Sequence, residues 1–598
     1  MSLAATCKVS IAFADGPLVV SPTWTDVTAY VRSVRTNRGR NNELDDFQAG
    51  TATVVLENVD RRFDPDYSSG AYYPNVKVRR QIKIEGVYSA VTYPIFRGVV
   101  QSWGQDWPVH NRDATCMVQA VDLFGILATW DLPNTAGEMY ALSLSPSAWL
   151  PLDDSDNVAR DRVSGYFGNY PSDRESVDAL EPLGDGASQF GPGALIVNGS
   201  WGSSTDSTVA FLVKDPVDGG VDLVNVASSA GFLFAETSGG GVRGVFNIPP
   251  DTAEVTGGNV LGTTSHVVLV RSGTTVTLYV NGVSIGSDTD GALTAAFVPT
   301  SVTVNDLNST ITATSFDEVM VFHGTALTAT QAGLLADAEL TGWASQTADA
   351  RITRVLDLLD VPSGLYSTAA ASSSVGVFQA GSDALSYLQT VARSDQGRLF
   401  VNRSGVITFH PKTTDMGASA AATFADDGTA SSVRYSGFGL EHDDRLIYND
   451  VTVTGVESEA TSANATSQGT YSIRSLSVRT ALPLNSACRD VAQAYVARFA
   501  DPQTRGKGWT VHPERALNGS ATLGYATVLG RELGDVVSLK RTPPVGSTIT
   551  KSVSVTSIGH DIDIPEGRWQ VNFAGAPAYT TASFRWGTSN WDGADTWS

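Results

Sequence analysis

Charge is distributed very unevenly along this 598-residue chain. Residues 131–346 contain 6 Lys and Arg against 25 Asp and Glu, a net charge of −19, whereas residues 1–130 are neutral and residues 347–598 carry −3. A composition step at both ends of a segment is typical of a separately folded module between two parts of another domain. Three successive domains would produce the same steps in charge. The sequences of the two flanking segments are therefore needed to distinguish the two arrangements.

Composition narrows the classes of protein to which this chain can belong. The 62 Asp and Glu against 40 Lys and Arg give a net charge of −22, which argues against nonspecific binding to nucleic acid or anionic membranes. Three widely spaced cysteines exclude a disulfide scaffold and a Cys-rich zinc site. The first residues lack the apolar core of a signal peptide, and no apolar run approaches the ~20 residues of a membrane span. We therefore expect a protein that folds in a cytoplasm without a membrane span.

The first flank and the central block are predicted to consist of β-strands. Residues 49–59 are strongly β-forming, and residues 76–87 alternate apolar and basic side chains, as in a strand with one wet face. In the central block, short strands such as HVVLVRSG, VTLYVNGVSIGS and FDEVMVF are separated by Gly, Asn, Asp and Ser turns. This spacing is typical of a sandwich or jelly roll. One helix is expected there, over residues 326–340, with Thr328 as its N-cap.

The second flank combines helices with strands. Apolar residues recur at i, i+3, i+4 and i+7 over 348–359, which predicts an amphipathic helix that stops near Pro362. The other predicted elements are a helix from a Ser382/Asp383 cap to about Gly397, a hairpin over 398–411 that turns at Ser404 and Gly405, and a helix with Val491, Tyr495 and Phe499 on one face that ends before Pro502. The fold class is therefore mainly β with some helix (α+β).

Both flanks contain phrases that resemble minor tail proteins of long-tailed bacteriophages, particularly those of actinobacterial hosts. They are WTDVTAYVRSV, LDDFQAGTATVVLENVDRRFDPD and YYPNVKVRRQIKI in the first flank, and ARITRVLDLLDVP, DALSYLQTVARSDQGRLFVNRSGVITF, ACRDVAQAYVARFADP and LGRELGDVVSLKRTPPVG in the second. The likeness is to the tail-hub family. It implies discontinuous β-barrel-like domains and a ring, expected to be a homotrimer, that contacts the tape measure, the distal tail protein and other minor tail proteins.

The central block resembles the laminin-G-like, concanavalin-type jelly rolls, through SAWLPLDD, GALIVNGSW, HVVLVRSGTTVTLYVNGVSIG and FDEVMVFHGTALTATQ. The ends of that fold lie close together, so it can be inserted into a loop of a host domain. We therefore predict three regions: residues 1–140 as the N-terminal part of a hub, 141–345 as an inserted jelly roll, and 346–598 as the remainder of the hub.

Strings that look catalytic have structural interpretations. The Gly239-x-Gly241-x-x-Gly244 string needs a strand before it and a helix after it to bind a dinucleotide, but β-forming residues follow, so a hairpin is expected. The Gly282-x-Ser284-x-Gly286 string lies in a β-meander and not at a strand-to-helix turn. A glycosidase needs paired carboxylates, and the nearest fragment, Asp317-Glu318, is interpreted as strand or turn support.

Binding residues are easier to nominate than catalytic ones. Carbohydrate sites combine aromatic faces with polar groups, and Tyr166, Tyr170 and Trp201 lie in Gly-, Asn- and Ser-rich loops of the insert. Core packing is the alternative for each ring. The acidic stretch Asp153-Asp154-Ser155-Asp156 is interpreted as a solvated loop, with a calcium site as the alternative; no cofactor is expected.

We therefore expect a structural virion protein at the tail tip, made in the host bacterial cytoplasm and without enzymatic activity. Its subunits form a hub around the tail channel, without stable nucleic-acid binding, and display the jelly roll for contact with a host-surface glycan or a neighbouring protein. Two alternatives stay open: a tail-embedded cell-wall or polysaccharide hydrolase, and a carbohydrate-binding adhesin.

Overall fold

The chain divides into two compact units, one of which interrupts the other in sequence. A computed structural model describes residues 5–109, 112–305, 313–378, 383–415, 418–426, 432–506, 508–515 and 521–578. Unit 1 comprises Met1–Asp131, Gln346–Val375 and Ser382–Ser598, and unit 2 comprises Leu132–Ser345 and Gly376–Gly381. The sequence predicted boundaries after residues 140 and 345, whereas in the structure the main borders between the units fall after residues 131 and 345 of the sequence.

The first segment of unit 1 contains seven strands and a short helix among its described residues. They are β1 (Thr6–Ala12), β2 (Thr25–Asp26), β3 (Val31–Gly39), β4 (Gln48–Glu57), β5 (Gln81–Tyr88), β6 (Val91–Val109), β7 (Asp113–Val121) and α1 (Phe124–Leu127). Alternate residues of β4 are buried, including Ala52, Val54 and Leu56, so one face of this strand packs on the core and the other is wet, as antiparallel sheets allow.

Unit 2 begins and ends with a helix, and strands fill the chain between them. The described elements are α2 (Ala136–Ser143), β8 (Ala148–Leu150), β9 (Val158–Arg160), β10 (Phe167–Asn169), β11 (Glu175–Val177), β12 (Ala187–Phe190), β13 (Leu195–Asn198), β14 (Asp206–Lys214), β15 (Asp222–Ala227), β16 (Phe232–Ser238), β17 (Gly241–Ile248), β18 (Asp251–Asn259), β19 (Ser265–Ser272), β20 (Thr275–Val280), β21 (Val283–Thr289), β22 (Ser301–Val304), β23 (Thr314–His323) and α3 (Ala329–Thr341).

The second part of unit 1 mixes strands with helices. The described elements are β24 (Gln346–Thr347), α4 (Ala348–Leu358), β25 (Tyr366–Thr368), β26 (Ser374–Val375), α5 (Ala384–Ser394), β27 (Arg398–Val401), β28 (Ile407–His410), β29 (Ala422–Ala425), β30 (Leu440–His442), β31 (Asp450–Thr454), β32 (Glu459–Ala463), α6 (Ala465–Tyr471), β33 (Ser475–Arg479), α7 (Asn485–Phe499), β34 (Thr504–Gly506), β35 (Trp509–Val511), α8 (Ala521–Leu529), β36 (Val536–Arg541), β37 (Ile549–Asp563) and β38 (Arg568–Pro577).

One 12-stranded sheet joins both segments of unit 1. Its main strand order is β2-β1-β5-β6-β7-β4-β3-β37-β36-β29, and β38 pairs with β37 and β35. The junction between the segments is the antiparallel β3–β37 ladder, which sets Ser33 opposite Asp563 and Gly39 opposite Ser557. Gly39 has φ +127, and a Cβ there would lie 2.2 Å from the Thr556 carbonyl oxygen, so the ladder requires glycine at this position.

Unit 2 is a two-sheet sandwich. An eight-stranded sheet has the order β11-β12-β23-β14-β19-β20-β21 with β8 beside β23, and a six-stranded sheet has the order β13-β22-β15-β16-β17-β18. Alternate residues of each sheet, such as Val267 and Leu269 of β19, enter one shared apolar core. A Cβ at Gly244 would lie 2.3 Å from Cδ1 of Leu269, which shows how closely the two sheets approach there. Helices α2 and α3 pack together, and α3 packs on β19 and β21.

The predicted mainly β architecture, with a sandwich of two sheets in the middle of the chain, is confirmed. The predicted helices form α3, α4, α5 and α7. Thr328 caps α3 in a capping box with Gln331, and Asp383 caps α5, whereas Ser382 lies outside the described residues. The hairpin that turns at Gly405 joins β27 and β28, and the Gly239–Gly244 string joins β16 and β17 as a hairpin.

Helix α2 corrects the expectation of a single helix in the central block. It begins with a capping box formed by Thr135 and Glu138, and it spans the predicted boundary at residue 140. Six of its eight residues are buried, so it has no wet face to produce a recognisable amphipathic pattern. Within the described part of the chain, no helix is both long and apolar enough to cross a membrane.

Candidate functional site

Two of the three predicted sugar-binding aromatics meet in unit 2. The rings of Tyr166 and Trp201 lie 5.4 Å apart at 79°, an edge-to-face contact, and the Tyr166 hydroxyl donates to the Ser200 carbonyl at 3.2 Å. A Cβ at Gly199 would lie 2.5 Å from Tyr166 and 2.7 Å from Trp201, so only glycine lets the two rings close over this loop. Both rings pack against the sandwich core and are half-buried, which leaves them mainly structural.

Tyr170 has different surroundings. Its side chain is 6% exposed and belongs to the apolar core. Its hydroxyl donates to Asp154 at 3.0 Å, and the Arg174 guanidinium lies 4.3 Å from its ring centre. Burial, with the neighbouring Asp154 charge second, raises the pKa of Tyr170 well above its usual value. With its ring covered in this way, Tyr170 presents no open face to a sugar.

The short hairpin that carries Tyr166 is held in place by a buried carboxylate. Asp161, which is 4% exposed, accepts backbone N–H bonds from Trp149 and Val163 at 2.9 Å each and from Ser164 at 3.2 Å. Its own N–H donates to the Tyr166 carbonyl at 2.8 Å. These bonds fix the turn between β9 and β10 and tie it to β8.

The exposed side of this hairpin presents an aromatic ring beside charged groups. Phe167 is 66% exposed and pairs directly with Arg160 across the β9–β10 ladder, which places both side chains on one face. Arg160 bonds Asp154 at 3.0 Å and Asp156 at 2.6 Å. We call these four residues, with Asn169, the hairpin face.

Electrostatics keep Asp156 and Arg160 of the hairpin face charged at neutral pH. The hydrogen bond from Arg160 is the main cause that lowers the pKa of Asp156 to about 2, and the same bond raises the pKa of Arg160. An exposed ring can lie against the CH groups of a sugar while amide, guanidinium and carboxylate groups bond its hydroxyls. The sequence did not point to Phe167, because its exposure follows from the burial of its neighbour Gly168 in β10, which only the structure shows.

Asp317 and Glu318 lie in β23 and are 1% and 2% exposed. The Asp317 carboxyl accepts hydrogen bonds from the backbone N–H groups of Leu180 at 2.8 Å and of Glu318 at 3.1 Å. The Glu318 carboxyl accepts a hydrogen bond from the indole N–H of Trp149. These carboxyls have protein partners and no access to a glycosidic bond. Among the described residues, no three His, Cys, Asp or Glu side chains are grouped so that they could hold a metal ion.

Residues 191–332 match the Laminin_G_3 family model, whose description is concanavalin A-like lectin/glucanases superfamily. Unit 2 therefore contains a concanavalin-like jelly-roll domain of the laminin G type. Nothing in a comparison with curated proteins matches the chain.

Several solved structures also align with this chain. The botulinum neurotoxin serotype G binding domain aligns with 32% of this chain and 50% of its own, at 12% identity and TM-score 0.28. The binding domain of Paraclostridial Mosquitocidal Protein 1 aligns with 33% and 52%, at 15% identity and TM-score 0.29, and that of botulinum neurotoxin serotype D with 33% and 52%, at 13% identity and TM-score 0.27. The chain spans about half the length of these structures, and likenesses at these TM-scores carry no inference about function.

Proposed function

We propose that the protein is a structural subunit of a bacteriophage tail tip, a hub-like minor tail protein that displays a glycan-binding jelly roll. The observation that carries the proposal is the β3–β37 ladder, because it joins the two flanks, whose sequences resemble the tail-hub family, into one sheet although unit 2 separates them in sequence. The resemblance implies a β region built from segments that are distant in sequence, and the large sheet of unit 1 supports the proposal because it combines such segments.

Unit 1 is the part that we assign to assembly. In this proposal three copies form a ring around the tail channel and contact the tape measure, the distal tail protein and other minor tail proteins. The near-neutral charge of residues 1–130 and 347–598 suits surfaces that are buried against one another, because burial of unpaired charge costs free energy. A ring with a net charge near zero would also bind DNA weakly, because nonspecific binding depends on an excess of positive charge.

Unit 2 is the part that we assign to contact with the host. Its net charge of −18 over residues 132–345 would repel acidic polymers, so a neutral cell-surface glycan suits it better. The hairpin face supplies an exposed ring and hydrogen-bonding groups side by side, and no enzymatic step is proposed, because Asp317 and Glu318 are buried.

Light scattering tests the assignment of assembly. The full chain and a version that lacks residues 132–345, with the ends joined by a short Gly-Ser linker, should form the same defined oligomer. A deletion variant that is folded but monomeric would show that unit 2 makes the oligomer contacts, which contradicts the division of labour proposed here.

Binding to purified host envelope polysaccharide tests the assignment of host contact. Phe167→Ala should weaken binding about fivefold, since ring contacts of this kind contribute on the order of 1 kcal/mol. Val283→Ala, at another exposed apolar residue of unit 2, is the matched control. Equal binding by both variants would remove the hairpin face from the proposal, and release of reducing ends from the polysaccharide would favour the hydrolase alternative.

A further inference from the structure

Four carboxyl groups are buried together in unit 2, on the side of the eight-stranded sheet that α3 covers. They come from the loop after β11, from β23 and from α3, and their residues are 0–5% exposed. We call them the carboxylate cluster: Glu181, Asp317, Glu318 and Glu339.

The backbone places these groups close together. A Cβ at Gly137 of α2 would lie 2.3 Å from Oε2 of Glu181 and 2.9 Å from Cγ of Glu339. Both side chains therefore pack against α2 at Gly137. On β23 the register shifts opposite β14, where Glu318 has φ +51. Such a bulge inserts an extra residue, which lets consecutive residues Asp317 and Glu318 both stay outside the apolar core.

Hydrogen bonds satisfy this cluster only in part. Thr135 donates its hydroxyl to Glu181 at 3.1 Å, in addition to the backbone and indole bonds to Asp317 and Glu318 described above. Glu339 is fully buried, and Nε2 of His266 lies 3.2 Å from its Oε2. Neither Glu339 oxygen has a hydrogen bond that meets normal geometry.

Among the residues that the structure describes, few positively charged groups lie near the cluster. The groups that face it from the surrounding elements are Glu138 of α2, His266 of β19, and Arg162, Asp153 and Asp185 at the rim. Arg162 already bonds Glu138 at 2.9 Å and Asp185 at 3.4 Å, and it also pairs with Asp153. Four buried carboxylates beside one engaged arginine and one buried histidine cannot all be ionised, because the cost of burying unpaired charge is too large.

We propose that the carboxylate cluster is a proton-operated clasp that holds α2 and α3 on the sheet while Glu181, Asp317 and Glu318 are protonated and loosens them as these three groups ionise. A protonated carboxyl can donate to a neighbouring carboxylate, which satisfies both groups without a counter-ion. Ionisation instead produces repulsion between like charges in a medium that screens them poorly.

The direction of the pH effect follows from the ionisation of these groups. Burial raises the pKa of Glu181 to about 9, with the Glu339 and Asp317 charges as further causes, and burial raises the pKa of Asp317 and Glu318 well above their usual values. In the unfolded chain these groups titrate near pH 4. The folded state therefore binds more protons, and the stabilisation is complete below about pH 4 and is lost as the pH rises toward about 9.

Hydrogen exchange on the full chain tests the clasp, with rates corrected for the intrinsic effect of pH. Protection of residues 136–143 and 329–341 should fall at least about tenfold between about pH 6 and pH 9, since one unit of pKa displacement corresponds to a tenfold change. Protection of β15 (222–227), in the other sheet, should change much less.

Neutral isosteres separate the clasp from a general alkaline effect. Glu318→Gln and Glu181→Gln each keep an acceptor oxygen and remove one titrating group, so each should flatten the fall in α2 and α3 protection. Glu254→Gln, in an exposed pair with Arg243, should keep the full fall. The clasp is wrong if both cluster variants keep the fall of the parent protein, if the parent shows none, or if both variants are unprotected at about pH 6, where neutral side chains should hold the helices.

Discussion

Glu43 lies in the loop between β3 and β4 and is bonded by two arginines from the last third of the chain. Its carboxylate accepts from Nη2 of Arg498 on α7 at 2.7 Å and from Nε of Arg505 on β34 at 2.5 Å. The Glu43 side chain is 4% exposed, and the two arginines are 17% and 14% exposed. Replacing Glu43 by Gln removes the one negative charge that both arginines share while keeping the shape of the side chain.

The magnitude follows from the burial of this triad. Removing one partner of a buried ion pair costs about 3–5 kcal/mol, and hydrogen bonds to charged groups contribute about 1.5–3 kcal/mol each. The arginines retain some solvent contact and Gln can accept one of the two bonds, so the lower end applies. We expect a loss of about 3 kcal/mol in the free energy that holds α7 and β34 against the β3–β4 loop.

Hydrogen exchange measured by mass spectrometry gives the readout. A loss of about 3 kcal/mol corresponds to roughly hundredfold faster exchange in peptides that cover 485–499 and 504–506, if these segments open together. Asp443→Asn is the control, because Asp443 pairs with Arg445, whose side chain is 68% exposed, and exposed pairs contribute little. Exchange within twofold of the parent protein in Glu43→Gln would falsify the reasoning, since the triad would then contribute no more than a surface pair.

Three further predictions concern single side chains. Asp161→Ala should lower the stability of unit 2 by about 3 kcal/mol, because it leaves three backbone N–H groups without their acceptor; calorimetry of the full chain measures this, and an unchanged transition would contradict it. Burial raises the pKa of the Cys7 and Cys116 thiols to about 12, so a thiol reagent at about pH 8 should modify them only after unfolding, and rapid labelling of the native protein would refute this. Gly39→Ala should destabilise unit 1 by at least about 2 kcal/mol in urea unfolding, given its φ of +127 and the 2.2 Å approach of a Cβ to a carbonyl oxygen, whereas Gly16→Ala, where a Cβ meets nothing within 4 Å, should have little effect.

Local signals in the sequence predicted local structure well. Thr328 and Asp383 are residue types that commonly accept hydrogen bonds from the first N–H groups of a helix. Both side chains accept such a bond in the structure. The β27–β28 hairpin turns at Gly405, where φ is +81, as glycine permits. Helix α2 was missed because nearly all its residues are buried, so its apolar residues form no stripe.

The partners of the strands and the burial of the site residues depend on contacts between distant parts of the chain. Nothing near β3 indicates that it pairs with a strand at 549–563. Tyr166, Tyr170 and Trp201 share the same loop composition, yet one lies in the core and two pack edge to face. Asp317 and Glu318 stand in an ordinary strand pattern, and only the approach of α3 and of the loop after β11 makes them members of the carboxylate cluster.

The β3–β37 ladder also bears on the order in which the chain folds during synthesis. The strands of the unit 2 sandwich lie between residues 148 and 323, so this unit can close while later residues are still being translated. The edge of β3 must wait for residues 557–563, and an unpaired edge invites association with other chains. The large sheet therefore closes only after residues 557–563 have been translated, and chains that end before residue 549 should aggregate through β3.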